Sequence, residues 1–124
     1  MADYRFLSEP GVQPHGSESP GQRDSGADHI SNTEFINNVA DVTSGLFDLL
    51  ISKHMDYGPK NIGQSPGGAI NGLRVRMHDK LARINNLYEK DVTPEHESLQ
   101  DSFKDMANYA IIGLLVLQGK WPQQ

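Results

Sequence analysis

The sequence predicts an all-α protein, a small bundle of three principal helices that follows a disordered N-terminal arm. Three observations predict it. From Asn32 onward the apolar residues recur at steps of three and four; no stretch of four or more residues alternates with the period of a strand; and Gly and Pro divide the stretches where helices end. The 124 residues make one domain at most, and 36% hydrophobic content with a mean hydropathy of −0.55 is lean for a chain that must build a core.

Part of that leanness lies at the start. Residues 1–30 hold 4 Gly, 3 Pro and 4 Ser, with SEPGVQPHGSESPGQ placing Pro and Gly at turn spacing and no helical or strand period, so they read as a disordered arm. His15 and His29 within it are expected to be solvated rather than metal ligands. The helical domain, residues 31–124, leaves about 93 foldable residues, and a domain that short buries only roughly two-thirds of its unfolded surface. Partner subunits are therefore expected to cover apolar faces, as a homo-oligomer.

The first helix starts at Ser31 or Asn32, either of which can accept a hydrogen bond from a free amide, with Glu34 in the first turn. Phe35, Val39, Val42, Leu46, Leu49 and Leu50 form its apolar stripe, and Gly58-Pro59 stops it just after His54 to Tyr57. The segment from Gly58 to Gly68 (GPKNIGQSPGG) reads as a glycine-rich connection. It resembles a phosphate cradle in composition, but it lacks a Gly-Lys-Ser/Thr ending and no strand precedes it.

The second helix is predicted over Ala69 to Glu89, with Leu73, Met77, Leu81, Ile84 and Leu87/Tyr88 facing inward. Arg76, Asp79, Arg83 and Asn86, at steps of 3, 4 and 3, make a polar stripe on the same helix, flanked by Lys80. The third helix is expected to begin after Thr93-Pro94, with Thr as cap, Pro in the first turn and Glu97 nearby. Leu99, Phe103, Met106, Ala110, Leu114 and Leu117 carry its apolar stripe toward Gly119, while Asp101, Asp105 and Asn108 share another face. Trp121-Pro122 closes the fold.

Composition narrows the function. With no cysteine there is no disulfide scaffold, thiolate zinc site or Cys nucleophile. The longest apolar run, Ala110 to Leu117, is eight residues, far short of the ~20 that span a bilayer. The amino terminus (MADYRFLSEPGV) has no basic start followed by an apolar stretch, so a cytoplasmic protein is expected. Net charge is −5: residues 1–31 contribute −3 (five acids, two bases) and the rest −2 (eleven acids, nine bases). Neither part makes the basic field that duplex nucleic acid requires, so direct nucleic-acid binding is not expected. No Gly-x-Ser-x-Gly occurs, and the acidic second connection argues against a helix-turn-helix.

The charges on the second and third helices are the candidate chemistry. Two carboxylates at i and i+4, Asp101 and Asp105, lie roughly 5–6 Å apart and repel, so they call for a cation: Mg²⁺, or arginines such as Arg76 and Arg83. A polar groove between the two helices would set carboxylates against Arg76, Lys80 and Arg83, an arrangement suited to anionic phosphates with a divalent metal. Lys53, Asp56, Tyr57 and Asn61 lie at its mouth, with Tyr57 able to stack on a base. The plainer account is a solvated or salt-bridged charged face, with Tyr57 a core aromatic and His54 and His78 structural or exposed.

The blocks DYGPKNI, GLRVRMHDKLARINNL and ESLQDSFKDMANYAIIGLLVLQGKW, in this order and spacing, resemble the family named nucleotide modification associated domain 1, common in phages. The elements DYGP, RxxDKxxR and DxxxDxxNYA carry the resemblance, which spans roughly residues 45 to 121. It implies a link to the synthesis of modified nucleotides, and its helical layout looks like the MazG-type all-α nucleoside triphosphate pyrophosphatases, whose Glu-x-x-Glu and Glu-x-x-Asp pairs hold Mg²⁺ against a triphosphate. This chain departs from that pattern, with Asp79 alone among basic neighbours and Asp101 and Asp105 at a step of four.

The expected function is thus a phage-type nucleotide-metabolism protein that binds a nucleotide or nucleoside triphosphate. Metal-assisted attack of water on a phosphoanhydride is the reaction expected of it as an enzyme, with Asp79, Asp101 and Asp105 as catalytic residues and Mg²⁺ ligands. Arg76, Lys80 and Arg83 would offset phosphate charge, Asn108 would orient the ligand, and Lys53, Asp56, Tyr57 and Asn61 would contact base or sugar. The rival is a non-enzymatic interaction protein in which the same charges are structural.

Overall fold

The computed structural model describes residues 29–122, which form four helices and, among the described residues, no strand: α1 (Asn32–Tyr57), α2 (Lys60–Gly63), α3 (Ala69–Glu89) and α4 (Glu97–Leu117). The expected arm over residues 1–30 lies, apart from His29 and Ile30, outside the described residues. The described residues fall into two units, with the boundary between Val39 and Ala40.

In the first unit, the start of α1 is settled by two short side chains. The Glu34 amide donates to Ser31 Oγ, and the Ser31 amide donates to Glu34 Oε1, each at 3.0 Å. This reciprocal capping box satisfies two amides that a helix start otherwise leaves without partners, and it selects Ser31 over Asn32 as the cap.

The second unit holds the remainder of α1 and the other three helices. Gly58 (φ 72°) accepts the left-handed conformation that an L side chain resists, and its amide donates to His54 O at 2.8 Å, ending α1. The chain then turns directly into α2. The stretch Gly58 to Gly68, expected as a connection, therefore contains one turn of helix, and α2 puts Ile62 at the centre of the core. That core is small: Ile62, Leu73 of α3 and Ile112 of α4 are buried, with Leu50, Ala69, Tyr109, Val116 and Trp121 packed around them.

α3 occupies the span expected of it, Ala69–Glu89. Its Gly72 is a packing requirement, because a Cβ there would collide with Oγ and Cβ of Ser65. α4 begins at Glu97, three residues after Pro94; Thr93 and Pro94 belong to the preceding turn, in which the His96 amide donates to Thr93 O at 3.0 Å. Trp121 does close the fold, its Nε1–H donating to Pro59 O at 3.1 Å.

Several residues expected to face inward do not. On α1, Phe35 and Val42 are exposed, and Leu46, Leu49 and Leu50 are half-buried; on α3, Leu81 and Tyr88 are exposed. The largest difference is on α4. Phe103, Ala110, Leu114 and Leu117 are exposed, whereas Ser102, Asn108 and Ile112 are buried and Asp105, Met106, Tyr109 and Val116 half-buried. Both faces of α4 are apolar enough to pack, and the neighbouring helices take the one that also carries polar groups.

Candidate functional site

Because α4 turns its polar face inward, Asp105 reaches the interior of the helical unit, where it joins three helices. Its Oδ1 accepts from Lys53 Nζ of α1 at 3.2 Å, and its Oδ2 pairs with Lys80 Nζ of α3 at 2.9 Å. Among the described residues these are the only ion pairs. The Asp105 side chain is 16% exposed, Lys80 24% and Lys53 50%, so the cluster grades from interior to solvent. Partial burial would raise the Asp105 pKa, but the hydrogen bonds and charges of Lys80 and Lys53 outweigh it and hold the carboxyl below its ordinary range.

Arg76 adds a third cation. Its guanidinium donates to Asn61 O at 3.0 Å and to Ser65 Oγ at 3.3 Å, and Ser65 Oγ in turn bonds Asn61 O and Ile62 O, both at 2.9 Å. Arg76 thereby fastens the α2 turn to α3 while pairing with no carboxylate.

Asp105, Lys53, Lys80, Arg76 and Asn61 line a cavity of about 470 Å³ together with Asn108, Tyr57, Tyr109, His54, Trp121 and the apolar Leu50, Ile62 and Ile112. The size is that of small-ligand sites. His54 meets Trp121 edge-to-face, with ring centroids 5.2 Å apart and planes at 81°. Asn108 is 6% exposed; its Nδ2 donates to Leu46 O at 3.3 Å, and its buried Oδ1 has no donor. Lys53, Lys80 and Arg76 against Asp105 leave the cavity two formal positive charges, in a chain whose net charge is −5. An acidic protein with a cationic pocket selects an anion, and aromatic edges beside it suit a flat group.

Of the residues predicted from sequence, Lys53, Tyr57, Asn61, Arg76, Lys80, Asp105 and Asn108 come together here. Asp56, Asp79, Arg83 and Asp101 do not line the cavity and are exposed. Arg83 donates instead to Ser98 Oγ at 2.9 Å, linking α3 to the first turn of α4. The expected Asp79, Asp101 and Asp105 set is not assembled: among the described residues no group of three or more His, Cys, Asp or Glu could hold a metal. The physical reason is the rotation of α3 and α4, which sends Asp79 and Asp101 to solvent and leaves Asp105 neutralised by two lysines. Sequence reasoning missed the roles of His54, Tyr109 and Trp121. The one Trp of the chain, placed just after a terminal glycine, was the available signal.

A family model described as nucleotide modification associated domain 1 matches residues 53–117, a span that starts at Lys53 and includes every charged residue of the cavity. No curated protein and no solved structure shows significant similarity to the chain.

Proposed function

This chain belongs to the nucleotide modification associated domain 1 family, and from that premise we propose that its cavity binds a nucleotide, with Lys53, Lys80 and Arg76 receiving the phosphates. The observation that carries the reading is the gathering of three cations in an aromatic-edged pocket whose one carboxylate pairs with only two of them. Phosphate oxygens would draw the two lysines partly away from Asp105 and accept from the free N–H groups of Arg76. Tyr57, His54 and Trp121 offer the base a surface, and Asn108 Oδ1 offers an acceptor for a ligand N–H or O–H. In the same reading the protein serves phage-type nucleotide metabolism in the cytoplasm.

Hydrolysis assisted by Mg²⁺ asks for more than the cavity supplies. The cavity is a poor fit to a protein-held Mg²⁺, because its single carboxylate is shared between two lysines whose charges repel a cation beside it. The proposal is therefore binding, without a metal-dependent step.

A panel of canonical and modified nucleotides in a thermal-shift assay tests it. A ligand at 100 times its Kd stabilises the native state by about 2.7 kcal/mol, which raises Tm by several degrees for a domain of this size. The expected result is such a rise for wild type, lost in Arg76→Ala and reduced in Lys53→Ala. No rise with any nucleotide would overturn it. The Lys53–Asp105–Lys80 bridges also favour the second reading, an interaction protein with a structural charge cluster. That reading expects the same variants to lower stability with no nucleotide-linked effect.

A further inference from the structure

The outward face of α4 is an exposed apolar surface the cavity does not use. Phe103 is 58% exposed, Ile111 38%, Leu114 55% and Leu117 72%, with Ala107 and Ala110 between them, at steps of 4, 3, 1, 3 and 3 along one side of the helix. On the opposite side lie Asp105, Asn108 and Ile112, which face the interior. A helix apolar on both sides is one that is covered on both sides. Moreover, residues 106–119 contain no Asp, Glu, Lys, Arg or His, in a chain that is 22% charged.

We propose that a second copy of this chain covers this face, with the two α4 helices antiparallel about a two-fold axis passing between Ala110 and Ile111. Two observations choose that occupant. Each copy carries a net charge of −5, so like copies repel wherever charges face one another, and the uncharged 106–119 stretch is a place where they can meet. The pattern of sizes is also self-complementary: the antiparallel arrangement sets Ala107 against Leu114, Ala110 against Ile111, and Phe103 beside Leu117. Every small residue at the centre then faces a large one of the partner, which lets the helices approach closely in an isologous contact. A parallel pair would set alanine against alanine and leucine against leucine. The contact lies across α4 from the cavity, so it stands independently of whether the cavity binds a nucleotide.

The absence of native cysteine makes the test direct. In the full chain, Ala110→Cys is expected to form an intermolecular disulfide under mild oxidation. Phe103→Cys is not, because the two copies of residue 103 would be separated by about 22 Å along the antiparallel pair. By light scattering the wild type is expected at twice the 13.7 kDa chain mass, and Leu114→Arg at the chain mass with its helical circular dichroism retained. A wild type at the chain mass would overturn the proposal, as would cross-linking through Phe103→Cys instead of Ala110→Cys. A dimer that survives Leu114→Arg overturns it too. The cysteine variants make no drastic change of polarity, so they answer even if Leu114→Arg fails to fold.

Discussion

Asp105 is the residue at which three helices meet, because its two oxygens are divided between a lysine of α1 and a lysine of α3 while it is itself carried on α4. Its pKa is held below the ordinary aspartate value. A carboxyl whose native pKa is depressed adds stability that is complete above the unfolded-state pKa and is lost as pH falls through the native one. The expected outcome is a stability that declines as pH drops below about 4, with the Asp105 share of that decline missing in Asp105→Asn. Urea unfolding of both proteins between pH 7 and pH 3 measures it. At neutral pH the substitution should cost about 1–3 kcal/mol, since it removes charge-assisted hydrogen bonds at a partly buried site. Gly72 is the other residue under close constraint. An alanine in a helix interior ordinarily gains up to about 1 kcal/mol over glycine, but here its Cβ meets Ser65. Gly72→Ala should therefore destabilise, by about 1–3 kcal/mol in chemical denaturation, and loosen the Arg76 anchor that Ser65 receives.

The elements were legible wherever periodicity and punctuation agreed. Ser31 with Glu34, Gly58-Pro59 and the apolar spacing from Leu73 onward mark α1 and α3 to within a residue. α2 was not legible, because one turn of helix has no period to detect and its four residues sit in a glycine-rich stretch. α4 shows the deeper limit. Spacing shows which residues share a face but not which of two apolar faces the fold takes, and Phe103, Leu114 and Leu117 are the more regular stripe yet point outward. The same ambiguity explains the site. Asp105 and Asn108 were expected as ligand groups and do reach the cavity, while Asp101, one turn away, lies in solvent. His54 reads from sequence as structural or exposed and Trp121 as the close of the fold; their meeting depends on the turn after α4, where Gly119 takes φ 71°. Trp121→Ala would remove the edge contact to His54 and the bond to Pro59 O, and is expected to lower Tm and weaken any ligand that uses this aromatic wall.

For the molecule as a whole, the distribution of charge sets the cavity apart from the rest of the chain. A chain of net charge −5 collects Lys53, Lys80 and Arg76, with one carboxylate between the two lysines, in a cavity of about 470 Å³, inside a stretch that matches a family associated with nucleotide modification. No helix among the described residues is long and apolar enough to cross a membrane. In the proposed function this cavity holds phosphate through its cations, with Asp105 as their counter-charge rather than as a metal ligand. Titration calorimetry with a panel of nucleotides in EDTA, on wild type and Asp105→Asn, tests it most directly. Wild type is expected to bind without metal, and Asp105→Asn, with both lysines released, to bind more tightly although it is less stable. Binding that requires Mg²⁺ and disappears in Asp105→Asn, or no binding by wild type at all, would contradict it.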